Sequence, residues 1–484
     1  MAWFGIVLLV MVGVGIITTG LPAAVVLMAM AGFGACVGIA SGVIDAATLW
    51  ALPSRLVNLL ESDVLQALPL YVTMGLLLDR LPVADALYRA TQAVLPRKRS
   101  APLISGMLLG ALLGPMNGSV GASVLALSRV VAPRLAAEGI AAAHRHTIVA
   151  VASTLGVLVP PSLVLILLSD AMLSAHTIAV TTTGRTDRVV NTQDVFHAAL
   201  LPGGIFLLLC LALCGVIGRS ATRQPERPRL SAAQGSIAVT ALAFLLLLLG
   251  GVALGYFYAV EAAAMGAFAL LTAGLLSGRL PRNVLGELLG DAIALTGALF
   301  SLLLAATTFT MVLRLLGTAD LVGRIVSSIP GGDFAAVAAV LGLIAVSAFV
   351  LDAFEIIFVI VPIVIPPLLI RVADARWVSV LVLLTLQSSF LLPPFGYALM
   401  MVRGVLKEQV DFRDFLRALA PFLAAQWLLL FVVLLFPQLT HPGKSAEADS
   451  RPTPAALSDE EFNRRLNEMI RLPEPEADAS PEHR

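Results

Sequence analysis

Residues 153–172 read STLGVLVPPSLVLILLSDAM, and residues 386–405 read LQSSFLLPPFGYALMMVRGV. Each is an apolar stretch with a proline pair near its centre, Pro160-Pro161 in the first and Pro393-Pro394 in the second. A proline pair removes two amide donors and drives the preceding residue out of the helical region. Both stretches, within apolar runs 147–175 and 378–406, are therefore expected to be helices interrupted at membrane depth. Pro133, Pro160 and Pro161 recur as Pro366, Pro393 and Pro394, each 233 positions on, which points to an internal duplication. Upstream of the first interrupted helix, the run 101–132 carries Met116-Asn117-Gly118-Ser119 in its middle. These are poor helix formers that would expose backbone polar groups to lipid. A re-entrant hairpin with its turn inside the protein resolves that conflict. At the same offset Gly118-Ser119 falls on Leu351-Asp352, where a charge interrupts the second long run, 334–371. Each half thus holds a hairpin followed by a broken helix.

The 484 residues are 58% hydrophobic and only 13% charged, with a mean hydropathy of +0.94, far from the composition of a soluble domain. Roughly 440 residues of mostly apolar chain allow on the order of 11 to 14 passages or half-passages at about 20 residues each. That is the size of a transporter. Lys+Arg and Asp+Glu both number 31, so no net charge draws nucleic acid. The odd set Cys36, Cys210 and Cys214 lacks disulfide or zinc spacing, and the one-turn pair Cys210 and Cys214 reads as small packing residues. The first twenty residues lack the basic start of a signal peptide and read as a retained first helix. No phosphate-binding glycine loop, HExxH or nucleophile elbow is present. His144 and His146 sit in a short basic stretch that reads as a solvated loop. Nothing indicates an enzyme.

Basic residues at Arg97-Lys98-Arg99, from Arg134 to His146, from Arg219 to Arg229, and at Arg279 and Arg282 are expected on the cytoplasmic side. The first hairpin then enters from the cytoplasm and the second from the opposite side, an inverted-topology repeat with ion and substrate sites near the midplane. The expected organisation is N-terminal scaffold helices in 1–96, a first transport repeat in 97–218, central scaffold helices in 219–330, a second transport repeat in 331–440 and a polar tail in 441–484. In the tail, Ser458 with Glu461 makes a capping-box start, and Phe462, Leu466 and Ile470 are spaced for one helical face. A solvated tail is the expected state.

Ionisable residues inside apolar runs carry the clearest signal of function, because a charge in hydrocarbon costs several kcal/mol unless paired or wet. Asp352 and Glu355 stand three apart, on one face if helical. They read either as a cation or proton site at the hairpin turn, or as a helix cap or a partner for a basic residue such as Arg314. Arg314 suits carboxylate recognition, or a structural charge reaching an interface. Glu261 and Asp170 are open to both kinds of reading. Oxygen-bearing groups fit for sodium cluster at the expected interruptions: Asn117, Gly118 and Ser119; Ser153, Thr154 and Gly156; Gln387, Ser388 and Ser389.

At these residues the chain resembles the large membrane subunit, of the DctM type, of tripartite ATP-independent periplasmic transporters. The resemblance covers nearly all of 1–440. It rests on PLYVTMGLLLDR (69–80), GPMNGSVGASVLALSRVVAPRLAAEGI (114–140), STLGVLVPPSLVLILLSDAM, VEAAAMGAF (260–268), VLDAFEIIFVIVPIVIPP (350–367) and LQSSFLLPPFGYALMMVRGV, six motifs in order. LLSDAM and FTMVLRLLG add a likeness to the subgroup labelled for mannitol or chloroaromatic compounds. The resemblance implies an all-α elevator-type secondary transporter in a bacterial cytoplasmic membrane, without cofactor, driven by sodium ions and carrying a small organic acid. It implies a separate small membrane subunit of about four helices and a periplasmic solute-binding protein as partners. The hairpins around Asn117-Gly118-Ser119 and Asp352, with the breaks at Pro160-Pro161 and Pro393-Pro394, are implied to frame the sodium and substrate sites. The stretch 176–196 is longer than the family's usual connection, the tail is extra, and Gly114-Pro115-Met116-Asn117 departs from a serine- or threonine-rich turn. The alternatives are a self-sufficient ion-coupled anion permease and a membrane scaffold that recruits partners through its tail.

Overall fold

A computed structural model of the protein describes residues 1–61, 63–186, 188–220, 231–393 and 396–441. Pro394, the basic stretch 221–230 and the tail from 442 onward, with its Ser458 cap and its Phe462, Leu466 and Ile470 face, lie outside the described residues. The described chain is helical throughout, as expected where lipid offers backbone groups no partner. Ten segments among the described residues are long and apolar enough to cross a membrane. The apolar helices that are too short, at 101–116, 332–347 and 397–406, belong to the two expected hairpins and to the second break.

The chain opens with α1 (Ala2–Thr19) and α2 (Ala23–Ala40), followed by α3 (Leu52–Leu60), α4 (Asp63–Arg80) and α5 (Val83–Val94). Then come α6 (Ala101–Leu113), a 3-10 turn (Gly114–Met116), α7 (Val120–Val130), α8 (Ala132–Ala137), α9 (Ala142–Leu158) and α10 (Leu163–Thr183). The helices α6 and α7 form the first hairpin; α9 and α10 are the two halves of the interrupted helix. Next are α11 (Thr192–Ile217), α12 (Ala232–Ala253), α13 (Ala259–Leu276), α14 (Arg282–Leu315) and α15 (Thr318–Ser328). The second hairpin consists of α16 (Gly332–Ser347), a single turn α17 (Ala353–Glu355), a π-turn (Ile356–Ile360) and α18 (Val361–Arg371). It leads into the second interrupted helix, α19 (Ala375–Ser389) and α20 (Tyr397–Leu406), and α21 (Phe412–Leu435) closes the described chain. The 233-residue offset recurs in these boundaries: α9 begins at Ala142 and α19 at Ala375, while Ser119 caps α7 where Asp352 caps α17.

The two interrupted helices occupy the centre. The most apolar part of the stretch 142–183 is almost entirely buried, whereas α1, α2 and α11 to α14 bury no more than about a third of their most apolar residues and present leucine, valine and isoleucine outward as a lipid-facing wall. At 34 residues α14 is about 50 Å long, well beyond the roughly 30 Å of a bilayer core. Its contacts run to α2, α4 and α15 and to the π-turn.

The His144 and His146 stretch departs from expectation. It is the first turn of α9, and His146 is fully buried, with Nδ1 2.8 Å from the Ala142 carbonyl and its ring edge-on to Phe415 of α21. The cause is tertiary, since α21 covers a turn whose local sequence looks like a surface loop. Glu261 takes a structural place, accepting the Tyr258 amide at 2.9 Å to close the start of α13. Cys210 and Cys214 are buried in α11. The long connection after α10 grips the second half. Arg185 donates to the carbonyls of Leu369 and Ile370 at the end of α18. Asp194, the N3 residue of a capping box at the start of α11, accepts from both Arg188 and Arg376, the latter at 2.6 Å.

Candidate functional site

The tip of the first hairpin meets the first helix break. Gly114 and Gly156 lie in backbone contact: a Cβ added to Gly156 would fall 2.3 Å from the Gly114 carbonyl carbon, so α6 and α9 cross with no room for a side chain. At the turn Gly118 has φ +67, a conformation that only glycine adopts freely, and so releases the chain from the α6 direction. Ser119 then starts α7, its Oγ accepting the Ala122 amide at 3.1 Å. The Asn117 side chain folds back to donate to Ser123 Oγ at 3.0 Å.

Between these elements lies a cavity of about 20 Å³, lined by Gly114, Gly118, Ser119, Ser153 and Gly156 among others. A space of roughly 10–15 Å³ suffices for one water-sized occupant. Four helix ends line it: the C-terminal ends of α6 and α9, and the N-terminal ends of α7 and α10. Helix C-termini leave up to four carbonyls unpaired and carry partial negative charge, while N-termini do the reverse. One small chamber therefore offers carbonyl and hydroxyl oxygens to a cation beside two helix starts that favour an anion.

Of the residues expected from the sequence, Gly118, Ser119, Ser153 and Gly156 line this cavity. Asn117 sits one hydrogen bond behind it, through Ser123. Thr154 is buried and back-bonded to the Val151 carbonyl, and neither it nor Pro160 or Pro161 is part of the lining. Two polar lining residues were not singled out from the sequence. Ser123 receives the Asn117 amide, and Ser162 bridges the break by donating to the Val157 carbonyl at 3.0 Å while accepting the Leu165 amide at 3.1 Å. The position of Ser162, just before the apolar run of α10, is an N-cap signal that could have revealed it.

In the second half, Asp352 and Glu355 form a reciprocal cap. Asp352 Oδ1 accepts the Ala353 amide at 2.8 Å, and Glu355 Oε2 accepts the Asp352 amide at 3.0 Å. This is the helix-capping reading of the pair, and it leaves the remaining oxygens of both carboxylates open to other partners. Gln387, on α19 just before the second break, is fully buried, and among the described residues neither atom of its amide has a hydrogen-bond partner. Ser388 and Ser389 are back-bonded to the Thr385 and Leu386 carbonyls. Pro393 follows the end of α19, in the break before α20. Tyr397, which the sequence reading did not single out, joins the halves. Its hydroxyl lies over Gly121 of α7, its ring meets Phe390 edge-on, and it is within electrostatic reach of Asp352. Arg314 stands apart from both clusters and lines a different cavity, together with Asp170.

A polytopic helical membrane protein with two interrupted helices at its core, and a small polar chamber where one hairpin tip meets a break, has the build of a permease and not of an enzyme. A family model for the DctM component of the tripartite ATP-independent periplasmic transporter matches residues 4–439, and the chain belongs to that family. It is 23% identical over 404 residues to the sialic acid TRAP transporter permease protein SiaT of Haemophilus influenzae, an alignment covering 82% of this chain and 61% of that longer one. It is 22% identical over 397 residues to the C4-dicarboxylate TRAP transporter large permease protein DctM of Rhodobacter capsulatus, covering 79% and 87% of the two chains. The crystal structure of the Alcanivorax borkumensis YdaH transporter shares the fold, with a TM-score of 0.63 at 14% identity over 82% of this chain and 90% of that one.

Proposed function

We propose that this chain is the large permease subunit of a sodium-coupled, binding-protein-dependent transporter that imports a small organic acid across a bacterial inner membrane. The observation that carries the coupling ion is the chamber at the first hairpin tip, where Ser119, Ser153 and the ends of α6 and α9 offer oxygens around a space for one small occupant. Hard cations take such oxygens, and unwound helix ends supply them without a formal charge. The helix starts of α7 and α10 border the chamber, so the carboxylate of a cargo bound beside the ion would meet their partial positive charge. Relatives named for sialic acid and for C4-dicarboxylates support an organic acid as the cargo. Membership in a family named as one component of a tripartite system supports a small membrane subunit and a periplasmic binding protein as partners. Under this reading the hairpins and interrupted helices form two inverted repeats that move as one body against the outer helices, an elevator motion.

Thermal unfolding of the purified protein in sodium or potassium salts at equal ionic strength tests the ion site. Sodium is expected to raise the melting temperature saturably, and Ser153→Ala to shift the half-saturating concentration upward at least several-fold. Identical curves in both salts would remove the sodium site from the account.

A further inference from the structure

A groove of about 400 Å³ runs between α12 and α13 on the lipid-facing wall, with the α4–α5 corner at Leu81 and Pro82 as its floor. A short connection joins the two helices, so the start of one lies beside the end of the other. Ser236 near the start of α12, Ser277 just past the end of α13 and Arg279 beyond it therefore share one end of the groove. Thr240 follows one turn further in, and Phe244, Leu270 and Ala273 line the interior. Polarity thus falls along the groove, from a guanidinium and hydroxyls to an apolar wall. Its inner end is shut: a Cβ added to Gly266 of α13 would fall 2.3 Å from Met74 Sδ and 3.3 Å from Leu248 Cδ1, so α4, α12 and α13 touch there. Arg279 is exposed, and among the described residues its side chain makes neither a hydrogen bond nor an ion pair. Arg80, at the end of α4, is by contrast held by Glu287 and Asp291 of α14 at 3.3 and 3.4 Å.

We infer that this groove is a binding site for an anionic phospholipid of the cytoplasmic leaflet, one acyl chain lying between α12 and α13 and the headgroup phosphate on Arg279. From Ser236 to Phe244 the groove extends about 12 Å along α12, less than half of the roughly 30 Å hydrocarbon core. A membrane-spanning helix of a partner needs a groove open across the whole core, whereas the chain of a lipid in one leaflet ends within it. Arg279 and Arg282 put this end of the groove at the cytoplasmic face by the positive-inside tendency. A basic side chain over an apolar cleft at that level is the chemistry that selects anionic headgroups. A zwitterionic lipid fills the same cleft but brings its own cation beside the guanidinium, so charge favours phosphatidylglycerol over phosphatidylethanolamine. Burial of the chain against Phe244 and Leu270 supplies affinity common to both. The site lies on the outer wall and goes beyond the transport reading, resting on neither the coupling ion nor the cargo.

Thermal unfolding of the purified full chain in detergent is followed as phosphatidylglycerol, phosphatidylethanolamine or phosphatidylcholine of matched chains is added, with inorganic phosphate as a separate arm. Phosphatidylglycerol is expected to stabilise saturably, at a half-saturating concentration at least several-fold below that of the other two lipids, and phosphate at the same concentrations to do nothing. Arg279→Gln, a change at an exposed side chain, should erase the preference for phosphatidylglycerol. Ala273→Phe, which fills the groove from an exposed position and keeps the charge, should weaken all three lipids at least several-fold. Arg324→Gln, the same change of charge at an exposed position outside the groove, should do neither. A photo-crosslinking residue in place of Thr240 should capture lipid in native membranes. Equal stabilisation by the three lipids, a preference that survives in Arg279→Gln, or phosphate acting as well as phosphatidylglycerol overturns the inference. Capture of a protein from position 240 overturns it too, by making the groove the seat of a partner helix.

Discussion

Gly156→Ala tests whether the hairpin chamber depends on backbone contact between α6 and α9. The added methyl group would sit 2.3 Å from the Gly114 carbonyl carbon, 2.4 Å from its Cα and 2.7 Å from its oxygen, all backbone atoms that no rotamer change can move. Reaching ordinary contact near 3.4 Å requires the helices to part by about 1 Å. Overpacking of this kind costs about 1–3 kcal/mol. The functional consequence is larger than the loss of stability, because hard cations hold oxygens within about 2.3–2.6 Å and a 1 Å displacement of one wall takes ligands out of range. Melting of the purified protein should therefore fall by only a few degrees, while sodium-dependent stabilisation and uptake fall at least tenfold. Gly204→Ala is the control: nothing lies within 4 Å of its added Cβ, so it should be neutral or slightly stabilising. A Gly156→Ala protein with wild-type sodium response would refute the reasoning, because it would show that the two helices can separate without disturbing the chamber.

Three further substitutions probe the rest of the site. Asp352→Asn retains an oxygen to accept the Ala353 amide, so expression and melting should change little while uptake falls at least tenfold; unchanged uptake would leave the residue a cap only. Gln387→Leu removes a fully buried amide that has no hydrogen-bond partner among the described residues, and relief of an unsatisfied group should hold or raise the melting temperature while transport drops. Parallel loss of both, measured by unfolding and uptake on the same preparation, would mean the amide has a structural role. Asp194→Ala strips a carboxylate that holds Arg188 and Arg376 and caps α11, so thermal unfolding should show a loss of about 1–3 kcal/mol, and a loss under 0.5 kcal/mol would contradict the clamp.

The proline pairs made the interruptions legible because proline acts locally: α9 ends two residues before Pro160 and α10 begins two after Pro161. Gly118 and Ser119 were legible for the same reason, since turn conformation and helix capping are decided within a few residues. His146 was not, because its burial depends on Phe415, far away in sequence. The Asp352 and Glu355 spacing fits a capping box as well as a charge cluster, and only the two amide contacts separate these readings. Tyr397 is equally a matter of tertiary placement, since nothing near it in the chain signals that its hydroxyl rests over Gly121. Asp170 and Arg314 were each visible as charges in apolar runs, but their meeting in one cavity depends on how α10 faces α14.

The most direct test of the central claim is uptake of radiolabelled organic acids into proteoliposomes holding this chain and its small membrane subunit, with the binding protein added or withheld and a sodium, potassium or proton gradient imposed. The account predicts accumulation only with an inward sodium gradient and the binding protein together. Accumulation driven equally by a potassium or proton gradient, or by this chain without the binding protein, would contradict it.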